Sequence, residues 1–164
     1  MTSSMFWAVA EDVTDERLRE AQISHLASHD TLTGLANRWM FQQKLEAAAN
    51  IRNPASTLVA IHCVDLDGFK AVNDAWSHPA GDEVLKMAAS RMRNVVRQGD
   101  LVARLGGDEF AILQHSLKRA RDVKTLSRRV VTVLSGPYVI NGTSCEIGAS
   151  VGVCLAQLHL SMEL

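Results

Sequence analysis

The sequence predicts an α+β domain of split βαβ order, with helices packed on one face of a sheet, and three features predict it. Residues 58–64 (Leu-Val-Ala-Ile-His-Cys-Val) are nearly continuous in apolar and β-branched side chains, as in a central strand buried on both faces. A helix-periodic stretch follows from Asp82 to about Arg97, and then a hairpin turning on Gly106 and Gly107. A further helix and short strands complete the order strand, helix, hairpin, helix, strand.

Length and charge bound the function. A chain of 164 residues with 47% hydrophobic and 21% charged residues is one globular domain with a real core. With aromatics at only 5%, that core is aliphatic. Seventeen Lys+Arg against 18 Asp+Glu leave a net charge of -1, which excludes a nucleic-acid binder held by a strong positive field. Cys63, Cys145 and Cys154 are odd in number and far apart. They make neither a disulfide scaffold nor a Cys-rich zinc module, and they suit a reducing compartment. No apolar run reaches membrane-spanning length, and Met5 to Ala10 lack the basic flank of a signal peptide. A cytoplasmic domain is expected, even if carried by a membrane-attached parent.

Along the chain, residues 1–28 read as a tail and a stalk helix. Thr14-Asp15-Glu16 is a helix start, and Leu18, Ala21 and Leu26 form only a thin apolar stripe. The turn formers of residues 30–37 interrupt it. A helix over residues 38–49 buries Phe41, Leu45 and Ala48, and Asn53-Pro54 ends it. After the central strand, Pro79 and Gly81 precede the helix that begins at Asp82, whose buried face carries Leu85, Ala88, Ala89, Met92, Val95 and Val96. The hairpin comprises residues 101–105 and 110–113. A helix over residues 120–134 presents Val123, Leu126, Val130 and Val133, and strands are expected at 138–140 and 145–155.

The chemistry gathers at strand ends. Asp65 and Asp67 follow the central strand, and Asp108 and Glu109 follow the glycine pair. Neighbouring central strands would bring Asp65 close to Asp108. Crowded carboxylates repel and raise one another's pKa unless a cation lies between them, and hard oxygen ligands suit Mg²⁺. Glycines without Cβ atoms let a backbone approach a bulky phosphate. By spacing alone, a solvated hairpin tip explains the same residues equally well. Two other metal motifs fail. Asp65-x-Asp67-Gly68 has its glycine too early for an EF-hand loop, with Trp76 at the bidentate Glu position. His25 and His29 lack the Glu of H-E-x-x-H and read as helix-surface histidines.

The run Arg104-Leu-Gly106-Gly107-Asp108-Glu109-Phe110 resembles the signature of the GGDEF domains, the diguanylate cyclases. Three more blocks resemble the family in the same order: His29 to Arg38 (HDTLTGLANR), Asp65 to Asp74 (DLDGFKAVND) and His78 to Asp82 (HPAGD). The resemblance covers residues 24 to 155 and implies a palm-like fold, similar to nucleotide cyclases, with an antiparallel-mixed sheet, flanking helices and the GGDEF hairpin at the active edge. It implies condensation of two GTP into cyclic di-GMP and pyrophosphate, dependent on Mg²⁺ (or Mn²⁺), where two domains meet as a homodimer. Asp65, the Leu66 carbonyl and Asp108 would hold the metal, with Asp108 as the base and Glu109 as the further catalytic carboxylate of the signature. Phe69, Lys70, Gly106 and Gly107 would contact the triphosphate, while Asn73 and Asp82 would read guanine. An acid accepting from guanine N1–H and N2–H₂ leaves adenine with unpaired groups. Without the family, a helix N-cap is the lesser alternative reading of Asp82. Arg97 and Asp100, an R-x-x-D pair helped by Arg104, resemble the product-inhibition site, where cyclic di-GMP binds.

Two departures stand out. Ser77 occupies a position where the family usually has Gly. Residues 157–164 (QLHLSMEL) replace the family's basic last helix, so residues 29–164 are expected to form the domain without it. The rival expectation is a catalytically silent module that binds cyclic di-GMP or signals by dimerising, under the control of an upstream sensory domain.

Overall fold

The computed structural model describes residues 26–49, 57–117 and 119–158 of the chain. The expected stalk, apart from a helical turn at 26–28, and residues 159–164 of the distinctive last stretch lie outside these, while residues 157 and 158 belong to the last strand. The elements are α1 (Arg38–Ala49), β1 (Thr57–Asp65), α2 (Phe69–Trp76), α3 (His78–Val95), β2 (Leu101–Gly106), β3 (Glu109–Leu117), α4 (Ala120–Leu134), β4 (Tyr138–Ile140), β5 (Thr143–Cys145) and β6 (Ser150–Leu158). Four strands form one antiparallel sheet in the order β2-β3-β1-β6, and β4 pairs with β5 in a separate hairpin. The central strand β1 therefore has a partner on each side, and its last residue, Asp65, stands opposite Glu109 and Ser150.

Helices cover both faces of this sheet, not the single face expected. Successive side chains of a strand alternate between faces, and β2 and β3 are apolar on both. One face joins α3 and α4 in the main core, around Met92, Phe110, Ile112, Val130 and Leu134, all essentially without solvent contact. On the other, Ala103 and Ala111 are small enough for α1 to pack Phe41 against them and Leu113. That second cover ends before β6. Cys63, Gly152 and Cys154 remain exposed, so β1 is not buried on both faces along its whole length.

Several elements differ from expectation, among them the strand expected over 145–155, which is two strands, β5 and β6, in different sheets. The short helix α2 is absent from the sequence reading because eight residues offer little periodicity. It starts after Gly68, whose φ of 81° needs a residue without Cβ, and buries Phe69 and Val72. The helix α3 starts at His78, with its proline in the first turn, where a missing N–H costs nothing. Ser77 is its N-cap, so Asp82 lies inside the helix and is not its cap. Likewise, the turn between β2 and β3 falls on Gly107 and Asp108, and β3 runs on to Leu117, further than expected. Among the described residues no helix is long and apolar enough to cross a membrane.

Candidate active site

The carboxylates converge at one edge of the sheet. Asp65 ends β1, Asp108 sits in the β2–β3 turn, and Glu109 opens β3 in direct register with Asp65. Desolvation pushes the Asp65 carboxyl above its usual range, and the charges of Asp108, Asp67 and Glu109 push it further the same way. The charge part of this shift is the mutual repulsion expected of carboxylates gathered at one place. Asp67 is turned aside: its Oδ1 accepts from Ser150 Oγ at 2.8 Å, and its backbone pairs with Gly148 in both directions, at 3.0 and 3.2 Å. The Leu66 side chain is buried, while its carbonyl accepts only a long 3.3 Å bond from Phe69 N–H and retains a second lone pair. Among the described residues, no three His, Cys, Asp or Glu side chains form a cage for an ion. Mg²⁺ fits such a place because one or two carboxylates suffice, with water and substrate phosphates completing its octahedron.

Glu109 has a partner that the sequence reading did not supply. Arg38, at the start of α1, lies 3.6 Å from its carboxylate and donates from Nε to the Leu105 carbonyl at 3.1 Å. Both side chains are exposed, so the ion pair contributes little by itself. Across the β1–α2 connection, Lys70 is exposed in the first turn of α2, where free N–H groups and the helix dipole favour an anion. Asn73, one turn on, reaches over Gly81 of α3 beside the exposed Asp82. The proposed guanine readers are thus brought together by packing of α2 on α3.

Arg97 and Asp100 lie at the other end of the hairpin. Arg97 Nε donates to Asp100 Oδ1 at 3.3 Å, and the Arg97 guanidinium also donates to the His115 carbonyl. The Asp100 side chain is only 2% exposed and accepts from His115 N–H at 3.3 Å, so it ties the start of β2 to β3. A cavity of about 180 Å³ beside the pair is also lined by Gln114, Asp122 and Arg129. Arg129, on α4, is a cation that sequence spacing had no means of placing there. Arg104 makes its ion pair elsewhere: its guanidinium is held by Asp30 and by the Gly107 carbonyl, at the carboxylate end of the hairpin. His29 is not on a helix face. It pairs with Ala36 in an isolated bridge, with its ring against Ser28 Oγ at 2.9 Å.

An antiparallel sheet flanked by helices, with acidic side chains gathered at the end of its central strand, defines a palm-like α+β domain. The family model described as "Diguanylate cyclase, GGDEF domain" matches residues 27–163, and the chain belongs to that family. It is 40% identical over 150 residues to the probable diguanylate cyclase DgcE of Escherichia coli, covering 90% of this chain and 13% of that protein. The isolated GGDEF domain of TpbB from Pseudomonas aeruginosa superposes with a TM-score of 0.74 at 37% identity, over 77% of this chain and 74% of that one. The coiled coil and GGDEF domain of DgcB from Caulobacter crescentus, in complex with c-di-GMP, gives 0.80 at 30% identity, over 94% and 84% of the two chains. The chain spans about a fifth or less of the first curated relatives that it matches.

Proposed function

We propose that this chain is a diguanylate cyclase domain that converts two GTP into cyclic di-GMP and two pyrophosphates where two copies face each other. The observation that carries this is the carboxylate edge, where Glu109 stands in register with Asp65 and Asp108 precedes it in the turn; desolvation first, and then the charges of Asp108, Asp67 and Glu109, raise the Asp65 pKa there. Membership of the GGDEF family and the relatives named diguanylate cyclases support it.

Each copy holds one GTP. Asn73 and Asp82 take the guanine edge, and Lys70 with the first turn of α2 takes the triphosphate. Asp65, the Leu66 carbonyl and Asp108 are the groups that would hold Mg²⁺, whose contribution is to neutralise phosphate charge and acidify a hydroxyl. Facing copies set the 3′-hydroxyl of one GTP in line with the α-phosphorus of the other. A new P–O bond forms as pyrophosphate leaves, and the hydroxyl proton departs toward the carboxylate edge. The residues thus contribute positioning and charge, which dominate phosphoryl-transfer catalysis. Glycines 106 and 107 keep side chains away from the phosphates. Arg97 and Asp100 form a separate site for product inhibition.

A rival reading, a silent receptor for cyclic di-GMP, needs only the Arg97/Asp100 end. That end stands apart from the carboxylate edge, at the opposite end of the β2–β3 hairpin. Incubation of the purified chain with GTP and Mg²⁺, followed by chromatography of the nucleotides, decides between them. Cyclic di-GMP and pyrophosphate in a 1:2 ratio support the cyclase; cyclic di-GMP binding without turnover supports the receptor.

A further inference from the structure

We infer that Arg104 is a positioning residue that fixes the catalytic turn to the segment through which the chain enters the domain. The bonds run in series. Arg104 Nη1 donates to both Asp30 carboxylate oxygens, at 3.2 and 3.1 Å, while Nε of the same guanidinium donates to the Gly107 carbonyl at 2.9 Å. Asp30 is itself fixed, because its Oδ1 accepts from Thr33 N–H at 2.8 Å and Thr33 Oγ1 at 2.6 Å. The two charged side chains are only 14% and 21% exposed, so solvent screens this pair far less than Arg38 and Glu109. Burial alone would raise the Asp30 pKa, yet the Thr33 bonds and the Arg104 charge hold it below the usual carboxylate range.

The turn needs such an anchor. Gly106 and Gly107 have φ of 146° and 55°, and a Cβ at either would meet nothing within 4 Å. No side chain packs where a Cβ would stand on either glycine, and Asp108 follows directly. A guanidinium presents N–H groups in a fixed plane, so one side chain constrains the Gly107 carbonyl relative to the Asp30 carboxylate. The backbone reinforces this geometry, with Arg104 N–H donating to Ala36 O at 2.9 Å. Asp30 follows the helical turn at residues 26–28 by two residues. The Arg104 side chain thus joins Asp30 directly to Gly107, while the Arg104 N–H and Arg38 bonds tie neighbouring points of the same segment to the hairpin.

The kinetic arm of the test rests on the cyclase reading; the exchange arm does not. Amide hydrogen exchange is measured by NMR on the full chain, on Arg104→Lys and Asp30→Asn, and on the double variant. Circular dichroism first identifies the variants that are folded. Asp30→Asn retains an oxygen for Thr33 and is the milder probe. The expected result is at least tenfold faster exchange at Glu109, which pairs with Gly106 across the turn, in each single variant, with unchanged protection in the middle of β1. The double variant should add less than twofold, because both substitutions cut one connection. With GTP, kcat should fall at least tenfold while KM changes less than twofold. Wild-type exchange at the turn in a folded Asp30→Asn variant, or fully multiplicative effects in the double variant, would overturn the inference. Absence of turnover in the unmodified chain would instead count against the cyclase reading, leaving the exchange result to decide the role of Arg104.

Discussion

A Cβ placed on Gly81 would lie 2.0 Å from Asn73 Oδ1 and 3.1 Å from Phe69 Cζ, so the Asn73 amide occupies space that only glycine leaves open. This explains a glycine inside a helix, where it costs about 1 kcal/mol against alanine. In Gly81→Ala the flexible Asn73 side chain must move while the fold survives, because the propensity gain offsets the local crowding. We expect a melting temperature near that of the unmodified chain. Binding of GTP should weaken about ten- to a hundredfold, as for one buried hydrogen bond left unmade at 1–3 kcal/mol. Binding of inorganic triphosphate should hardly change. Calorimetric titration showing equal losses for both ligands would remove Asn73 from guanine recognition.

Ser77 has φ 84° and ψ 161°, a backbone conformation that is essentially reserved for glycine. The α2–α3 junction therefore keeps its geometry despite the serine and carries the strain in the backbone. Ser77→Gly should relieve about 1–3 kcal/mol of that strain, less about 0.5–1 kcal/mol for the more flexible unfolded chain. A net stabilisation near 1 kcal/mol should appear as a higher urea midpoint at unchanged slope. An unchanged or lower midpoint would show that Ser77 is unstrained.

Asp65 links function to stability. Its pKa is raised in the folded protein, so the fold binds that proton more tightly than the unfolded chain does. Without divalent metal, this contribution makes the fold more stable as pH falls from neutral through the raised value. Asp65→Asn removes the repulsion at every pH. In chelator it should match or exceed the unmodified chain in melting temperature at pH 7, by less than about 1 kcal/mol because solvent screens an exposed group. The variant should also lose the stabilisation that Mg²⁺ confers together with GTP, as well as turnover. A variant that melts lower in chelator, or one still stabilised by Mg²⁺ with GTP, would contradict the crowded-carboxylate site.

Much of this architecture was legible in the sequence, and the gaps have physical causes. The span of α4 and the strand β4 agree with their periodicity, and α1 follows Phe41 and Ala48 as expected. The second helical layer was missed because Ala103 and Ala111 look unremarkable until a helix is seen to need their small size. The register that sets Asp65 against Glu109 follows from strand adjacency, which the hairpin suggested. Arg104 was paired with Arg97 and Asp100 by proximity in sequence. Yet a strand carries its two ends well apart, and Arg104 belongs to the end that bears Asp108. Contacts made across long stretches of chain, such as Asp30 with Arg104 and Arg129 beside Arg97, have no local pattern to read.

Arg97 is the cleaner probe of the proposed inhibitory site. Asp100, 2% exposed and bonded to His115 N–H, is structural as well as available to a ligand, so Asp100→Ala would disturb the β2–β3 pairing. Arg97 is 51% exposed and reaches Asp100 from outside. Its loss leaves Asp100 one neutral donor and should cost only about 1 kcal/mol of stability, typical of one partly exposed charged contact. Its guanidinium is the group able to grip a phosphate or guanine edge with two parallel bonds. Arg97→Ala should therefore reduce cyclic di-GMP affinity at least a hundredfold by calorimetry. If the chain is a product-inhibited cyclase, the same variant should accumulate more cyclic di-GMP from GTP, since ligand at this end no longer favours an arrangement that holds the two active edges apart. Tight binding that persists in Arg97→Ala would place the product elsewhere. Lost binding with no turnover in either protein would identify the silent receptor.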